Sequence, residues 1–209
     1  MKTALTRRAL LERCAVFGGL TLAIPTTLLS VSEAWGAAEK RKATPPCELG
    51  PFYKRSAPVQ SSLRTAADPG MPLNVTGGVY SVNGEALLDA KVEVWQTDIF
   101  GHYDIDGYKF RAVMKPSEKG TYSFDSVMPG HYPQRVCQHI HYLVAAPGHK
   151  PLVTQLYFAT DPVFEGDPEK NYTRDPLITS RELVRPVIIK GDPKDMLAAV
   201  NFDCVLEKV

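Results

Sequence analysis

Short segments in which apolar and polar residues alternate, separated by turn residues, constrain the fold of this chain more than any other feature. The clearest runs from Ala90 to Gln96, where Lys91 and Glu93 share one face and apolar side chains share the other. The further strand candidates are Val79–Val82, Phe110–Met114, Tyr122–Ser126, His139–Ala145, Leu152–Phe158, Val184–Ile189 and Val200–Leu206. We predict from them an all-β fold, a single antiparallel β-sandwich.

The first 38 residues are typical of an export signal. Arg7 and Arg8 precede an apolar run, residues 15–31, which Pro25 interrupts and small residues follow. This pattern predicts a twin-arginine signal peptide over residues 1–38 that is cleaved from the mature protein. A membrane anchor is the alternative, but the run is short and contains Pro, Thr and Ser. We expect a periplasmic or secreted protein with no stable membrane span in its mature form.

Residues 39–74 are rich in proline and only weakly patterned. We predict that they form an extended N-terminal arm with little regular structure, lying on a sandwich domain of residues 75–209. Within that domain, Asn83 and Gly84 form a dipeptide typical of a tight hairpin turn. Asp161–Asp175 is a polar excursion with room for a helical turn.

Charge and cysteine usage narrow the class of protein. Lys and Arg number 24 against 23 Asp and Glu, a formal net charge of +1, and no basic cluster suggests a nucleic-acid partner. Cys47, Cys137 and Cys204 follow the signal. Their odd number in an oxidising compartment predicts one disulfide plus one buried thiol. No C-x-x-C spacing occurs, which argues against a zinc or redox motif built on cysteine.

Two histidines on one predicted strand suggest a metal site. Side chains two residues apart on a strand share a face, so His139 and His141 should lie about 7 Å apart at the backbone. Tyr103 and Tyr132 lie beside glycines at predicted strand ends. Two imidazoles and two phenolates would suit a hard trivalent iron. Tyr108 is the nearest rival to Tyr103, and a tyrosine of a β-sandwich is more often a packed aromatic.

Several short motifs recur in a recognisable order between about residues 43 and 160. They are Gly50-Pro51-Phe52-Tyr53, Val94-Trp95-Gln96-Thr97-Asp98, Gly101-His102-Tyr103, Gly120-Thr121-Tyr122-Ser123-Phe124, Pro129-Gly130-His131-Tyr132, His139-Ile140-His141-Tyr142 and Thr154-Gln155-Leu156-Tyr157-Phe158. Together they resemble the intradiol ring-cleavage dioxygenases, the family of catechol 1,2-dioxygenases and protocatechuate 3,4-dioxygenases.

The resemblance implies a non-haem ferric iron, Fe(3+), held by Tyr103, Tyr132, His139 and His141. It also implies that the Tyr132 phenolate, displaced when substrate binds, accepts a proton from the diol. The substrate would be a catecholic molecule cleaved with O2 between its two hydroxyl-bearing carbons, giving a muconate-type diacid. A homo-oligomer is possible for such a protein.

Two further site residues follow from the resemblance. Gln155 matches a family glutamine near the iron. The family often carries an arginine three residues before the first histidine ligand. Here that position is Val136, and Arg135 lies one residue earlier, as after a one-residue insertion. Arg135 would then reach the pocket through a bulge and stabilise developing negative charge.

The catechol enzymes of the family have a helical N-terminal dimerisation region, and this sequence shows no such pattern. The resemblance therefore implies an enzyme most like protocatechuate 3,4-dioxygenase, with its compact subunits, or like the small exported members. Such an enzyme needs a cation for the ring carboxylate, and Arg111, Arg135 and Lys115 are the candidates. The alternatives are an enzyme for hydroxyquinol or a larger lignin- or tannin-derived diol, and a periplasmic binding β-sandwich without turnover.

Overall fold

In a computed structural model of the protein, the described residues contain ten strands, which form two five-stranded sheets. The structure describes residues 39–133, 135–192 and 195–209. The strands are β1 (Pro72–Ser81), β2 (Lys91–Trp95), β3 (Arg111–Met114), β4 (Thr121–Val127), β5 (His139–Ala145), β6 (Leu152–Phe158), β7 (Val184–Arg185), β8 (Ile188–Lys190), β9 (Leu197–Asn201) and β10 (Cys204–Leu206). One sheet has the order β3-β2-β5-β6-β7. The other has the order β10-β1-β9-β8, with β4 paired to β1.

The apolar faces of both sheets contribute to one core. In β4 the burial alternates, with Tyr122 and Phe124 inside and their polar neighbours outside. Strand β5 lies between β2 and β6 in the middle of its sheet, and it is buried on both faces along most of its length. The predicted all-β sandwich is confirmed, and β5 and β6 have the predicted bounds.

The sheets are mixed rather than purely antiparallel. Strand β1 pairs in parallel with β9 and β10, and β6 pairs in parallel with β7. The predicted strand Val184–Ile189 is divided into β7 and β8, which belong to different sheets. Pro186 lies between them and has no backbone N–H to donate to a ladder, so the pairing stops there. The predicted strand Val200–Leu206 is likewise interrupted, at Phe202 and Asp203.

Residues 39–71 run over the domain without a helix or a strand of their own. Backbone bonds fasten them at intervals, including Cys47 N–H to the Val153 carbonyl (2.8 Å) and Leu63 N–H to the Asp125 carbonyl (2.8 Å). The first strand begins at Pro72, three residues before the predicted start of the domain.

The predicted turns are present. Gly84 adopts a φ of +84° and its N–H donates to the Ser81 carbonyl (2.8 Å), closing the hairpin turn. The polar excursion contains an α-helix, α1 (Pro168–Asn171), between 3-10 turns at Pro162–Phe164 and Tyr172–Arg174. A further 3-10 turn lies at Arg181–Leu183.

The predicted disulfide is wrong, since Cys47, Cys137 and Cys204 are all free thiols. Cys47 lies on the arm, Cys137 just before β5 and Cys204 in β10 of the other sheet, so separate elements carry them. In 39–133, 135–192 and 195–209 we find no helix long and apolar enough to cross a membrane. The predicted signal peptide lies outside the described residues.

Candidate metal centre

Two glycines allow the loops that carry the two predicted tyrosine ligands to touch. Gly101 has a φ of +81°, and a Cβ there would lie 1.9 Å from the His131 carbonyl oxygen. A Cβ on Gly130 would lie 2.5 Å from the Gly101 nitrogen. Only glycine permits backbones to approach this closely. The approach places the rings of Tyr103 and Tyr132 5.7 Å apart and nearly perpendicular.

Strand β5 supplies the two histidines. The Nδ1–H of His139 donates to the Cys137 carbonyl (2.8 Å), which leaves its Nε2 lone pair facing inward. The Nε2 atoms of His139 and His141 lie 3.2 Å apart. Trp95, directly across the strand pair, stacks on His141 with centroids 4.9 Å apart and planes 4° from parallel. The two ring nitrogens therefore converge on one point from a rigid strand.

The four predicted ligands form one cluster. Ring centroids lie 5.8 Å apart for Tyr132 and His139, and 6.3 Å apart for Tyr103 and His141. The rival Tyr108 is elsewhere, because its hydroxyl donates to the Arg55 carbonyl (3.0 Å). The structure thus brings together the four residues selected from sequence.

The cluster has unsatisfied polar groups. The Tyr103 hydroxyl is buried and makes no hydrogen bond with any described residue. Burial raises the pKa of Tyr103 and of Tyr132, although Arg135 opposes the rise at both. Burial lowers the pKa of His139 to about 3 and lowers that of His141 well below its usual value. Neutral donors buried without partners are costly, and a coordinated cation would relieve that cost.

The donor types restrict which metal site is possible. Within residues 39–133, 135–192 and 195–209, no group of three or more His, Cys, Asp or Glu side chains is placed to hold a metal ion. Beside His139 and His141, the cluster offers the phenol oxygens of Tyr103 and Tyr132 as further ligands. Phenolates are hard anionic donors, and hard trivalent iron matches them, so the residues present fit Fe(3+).

Arg135 does reach the site. The residue is 6% exposed, and its guanidinium donates from Nη2 to Gln155 Oε1 (2.8 Å) and to the Tyr157 hydroxyl (2.7 Å). Asp175 Oδ2 lies 3.5 Å from the same nitrogen. The Arg135 N–H donates to the Tyr132 carbonyl (2.9 Å), which ties the backbone of Arg135 to that of a proposed ligand.

Gln155 lies opposite His141 in the pairing of β5 and β6 and connects Arg135 to the arm. Its Oε1 accepts from Arg135 and from the Tyr157 hydroxyl (2.6 Å). Its amide donates to the Glu48 carbonyl (2.8 Å). Gln155 is therefore positioned to fix Arg135.

The other two cation candidates do not face the cluster as free charges. Arg111 is buried and donates to the Phe52 carbonyl (2.6 Å) and to the Asp104 carbonyl (3.2 Å). Arg111 begins β3 and pairs with Trp95, which pairs with His141 on the next strand. Lys115 follows the last residue of β3, so it lies at the end of that strand away from His141.

The arm contributes residues that sequence reasoning did not assign to the site. Phe52 stacks on Tyr103 with centroids 4.3 Å apart, and Gly50 passes so close that a Cβ would lie 3.0 Å from His141 Cε1. Both are in the first recognised motif, but neither carries a titratable group. Asp161 was also missed; its buried carboxylate accepts from His131 Nε2 (3.1 Å) and from the Gln138 N–H (2.7 Å).

The chain is similar in sequence to known dioxygenases. The protein family described as Dioxygenase matches residues 49–208. Catechol 1,2-dioxygenase 2 of Acinetobacter lwoffii is 33% identical over 164 residues, covering 66% of this chain and 60% of that protein. The 6-chlorohydroxyquinol 1,2-dioxygenase of Cupriavidus pinatubonensis is 30% identical over 149 residues, covering 59% and 54%. The chain therefore spans little more than half the length of these relatives.

A solved structure is similar over its full length. The dioxygenase domain of a dioxygenase carbohydrate-binding protein fusion from the cellulolytic bacterium Streptomyces sp. SirexAA-E is 31% identical, with a TM-score of 0.64. The match covers 80% of this chain and 100% of that domain. Because the family model matches residues 49–208, most of the sequence, and a solved dioxygenase domain 31% identical to the chain has a similar fold, the chain belongs to the intradiol ring-cleavage dioxygenases.

Proposed function

We propose that this protein is a ferric dioxygenase that cleaves a catecholic ring between its two hydroxyl-bearing carbons. Both atoms of O2 enter the product, a muconate-type diacid. One observation carries the proposal: two phenols and two imidazoles converge, and the Tyr103 hydroxyl among them is buried without a hydrogen-bond partner in the described part of the chain. Fold and family membership alone would leave the chemistry open.

The residues that would hold the iron are Tyr103, Tyr132, His139 and His141. When bound, a ferric ion supplies a Lewis acid and an electron acceptor through which a chelated diol can react with O2. Three of the four side chains are buried, whereas Tyr132 is partly exposed. Tyr132 is therefore the phenolate that substrate can displace, and its oxygen is placed to accept a diol proton.

In this proposal, Arg135 stabilises negative charge on the substrate ring. Its guanidinium lies near Tyr132, and Gln155 and Tyr157 fix its orientation before substrate arrives. A preorganised cation in a buried site stabilises negative charge that develops on the ring without having to reorganise. Trp95 and Phe52 cover the His141 and Tyr103 rings and keep water from them.

The substrate is best described as a catecholic diol without a ring carboxylate. A protocatechuate enzyme, the expectation from sequence, would need a cation for that carboxylate. Arg111 is bonded to backbone carbonyls, Arg135 is paired with Asp175, and Lys115 lies at the other end of its strand. The matched relatives are named for catechol and 6-chlorohydroxyquinol. Hydroxyquinol or a larger lignin- or tannin-derived diol is the second candidate.

Export through the twin-arginine pathway is part of the proposal. Arg7 and Arg8 before an apolar run support it. Replacing both arginines with lysine should retain the full-length chain in the cytoplasm, as measured by fractionation. Equal export of this variant would refute the pathway.

Absorption and oxygen uptake test the proposed activity. Protein loaded with ferric iron should show a visible tyrosinate-to-iron absorption band, and catechol should cause oxygen uptake and release of a muconate. Tyr132→Phe or His141→Ala should abolish the band or turnover. Tyr108→Phe is the matched control and should retain both, because its hydroxyl bonds outside the cluster.

Each outcome has a defined meaning. Full activity in both Tyr132→Phe and His141→Ala would discard the ligand assignment. A protein that binds diols without consuming oxygen would be a binding sandwich and not an enzyme. Faster turnover of protocatechuate than of catechol or hydroxyquinol would contradict the proposed substrate class.

A further inference from the structure

A buried carboxylate outside the predicted ligand set joins the two segments that carry the proposed ligands. We propose that Asp161 is a positioning residue that sets the separation of Tyr132 from His139, and through it the fit of the site to iron. The inference rests on the proposed function. It assigns a task to a residue that none of the recognised motifs contains.

The contacts of Asp161 reach both segments. The residue is 1% exposed, and its carboxylate lies 3.1 and 3.2 Å from His131 Nε2, the residue directly before Tyr132. Its Oδ2 accepts from the N–H of Gln138 (2.7 Å), the residue directly before His139. One carboxylate thus connects the imidazole of His131 with the backbone N–H of Gln138.

A second connection runs in parallel. The side-chain amide of Gln138 donates to the Pro129 carbonyl (2.8 Å), three residues before Tyr132. The loop of Tyr132 is therefore held to the start of β5 at two points. With both points fixed, the Tyr132 ring has little freedom to move away from His139, whose centroid lies 5.8 Å from its own.

Asp161 also has an ordinary structural task. Its Oδ1 accepts from the Val163 N–H (3.0 Å) and so caps the 3-10 turn Pro162–Phe164. A cap alone needs one acceptor and no contact with His131 or Gln138. The alternative to the proposal is that Asp161 matters only for this cap, and the experiment must separate the two tasks.

The chemistry of the carboxylate allows that separation. Asp161 offers acceptors only, and it receives two backbone N–H groups and one imidazole N–H. An asparagine has one acceptor and one donor, so Asp161→Asn must turn a donor toward at least one of these partners. His131→Ala, by contrast, removes the connection to the Tyr132 segment and leaves the cap and the Gln138 bond intact. His131 is 43% exposed at its side chain, so this change should cost little folding stability.

Asp167→Asn is the matched control. Asp167 belongs to the same polar excursion and caps α1 through the Lys170 N–H (3.1 Å). Among the described residues, its side chain makes no hydrogen bond to a proposed ligand or to a neighbour of one. Asparagine caps a helix about as well as aspartate, so this variant removes one charge while the cap and the site stay intact, and its urea midpoint and iron-loss rate should match the wild type.

Two measurements on the ferric protein are needed, the tyrosinate-to-iron band and the rate of iron loss to a chelator. The urea midpoint of each iron-free variant is the third. Partners that orient metal ligands are worth roughly 10–100-fold in metal affinity. We expect iron loss to accelerate by roughly that factor in His131→Ala and in Asp161→Asn, with a shifted band. The double variant should lose iron at the rate of Asp161→Asn and not at the product of both effects, because both changes break one connection.

The outcomes separate this inference from the proposed function. A wild-type protein that takes up no iron overturns the proposed function and this inference with it. A wild-type protein with the band, alongside His131→Ala and Asp161→Asn variants of unchanged iron-loss rate and spectrum, overturns this inference alone. A lower urea midpoint in Asp161→Asn without any change in iron loss would show that Asp161 is only a cap.

Discussion

Gly101→Ala tests whether contact between the two tyrosine loops builds the site. An alanine there would place its Cβ 1.9 Å from the His131 carbonyl oxygen, directly before Tyr132. Real Cβ atoms essentially never approach a neighbour closer than 3.0 Å, so the two loops must separate by about 1.1 Å. The separation acts on the backbone between the proposed ligands Tyr103 and Tyr132.

Gly166→Ala supplies the control for backbone strain. Gly166 has a φ of +78°, close to the +81° of Gly101, but a Cβ on it would meet nothing within 4 Å. Both substitutions incur the left-handed penalty of roughly 1–2 kcal/mol. Only Gly101→Ala adds the steric displacement. A misplacement of about 1 Å can lower the rate of a catalysed step by about 100-fold, so turnover should fall by that order in Gly101→Ala and remain unchanged in Gly166→Ala.

Urea unfolding, iron content and oxygen uptake with catechol measure the three effects. We expect both variants to lose comparable stability from strain, with a further loss of about 1–3 kcal/mol in Gly101→Ala from the overpacked contact. If Gly101→Ala keeps wild-type iron content and turnover, the close loop contact does not define the site. If Gly166→Ala loses as much activity as Gly101→Ala, strain alone explains the result and the geometric reasoning fails.

Two further predictions concern the buried arginines. Arg111→Met should lower the free energy of unfolding by about 2–4 kcal/mol, because it leaves the Phe52 and Asp104 carbonyls without their donor, and urea unfolding measures this loss. If the ratio of catechol to protocatechuate turnover is unchanged in this variant, Arg111 does not bind a substrate carboxylate. Arg135→Met should cost about 3–5 kcal/mol by stranding the buried Asp175 carboxylate, and adding Asp175→Asn should restore part of it. Additive losses in the double variant would mean that the two charges are not coupled.

Local pattern determined how much of the fold could be predicted. Strands β5 and β6 were predicted with correct bounds, because each is a continuous run of strand-forming residues with turn residues on both sides. The parallel pairings were not predicted, since a strand's own sequence does not specify the direction of its neighbour. Pro186 was the available signal that Val184–Ile189 could not be one strand, because proline interrupts a ladder.

The site residues that could be predicted are those whose side-chain type itself indicates metal binding. Residues that act only through contacts with other residues could not be predicted. Tyr103, Tyr132, His139 and His141 carry donor atoms and lie in recognised motifs, and the structure brings all four together. Asp161 gives only the local signal of a capping residue before proline. Its contacts with His131 and Gln138 span 30 and 23 residues of chain, so they depend on the packing of loops that sequence does not specify.

The two buried guanidinium groups bear on the kind of metal ligand the site can use. A positive charge near a metal site weakens binding of the metal ion. Arg135 and Arg111 nevertheless both lower the pKa of Tyr103, against the effect of burial. They favour its phenolate form. Four uncharged donors would gain nothing from this arrangement, because the guanidinium groups would only repel the metal. Phenolate donors would gain, since each negative oxygen would be stabilised by a bound cation, and the Tyr103 oxygen also by the two guanidinium groups. The arrangement thus favours anionic oxygen ligands over neutral ones, as the proposed ferric centre requires.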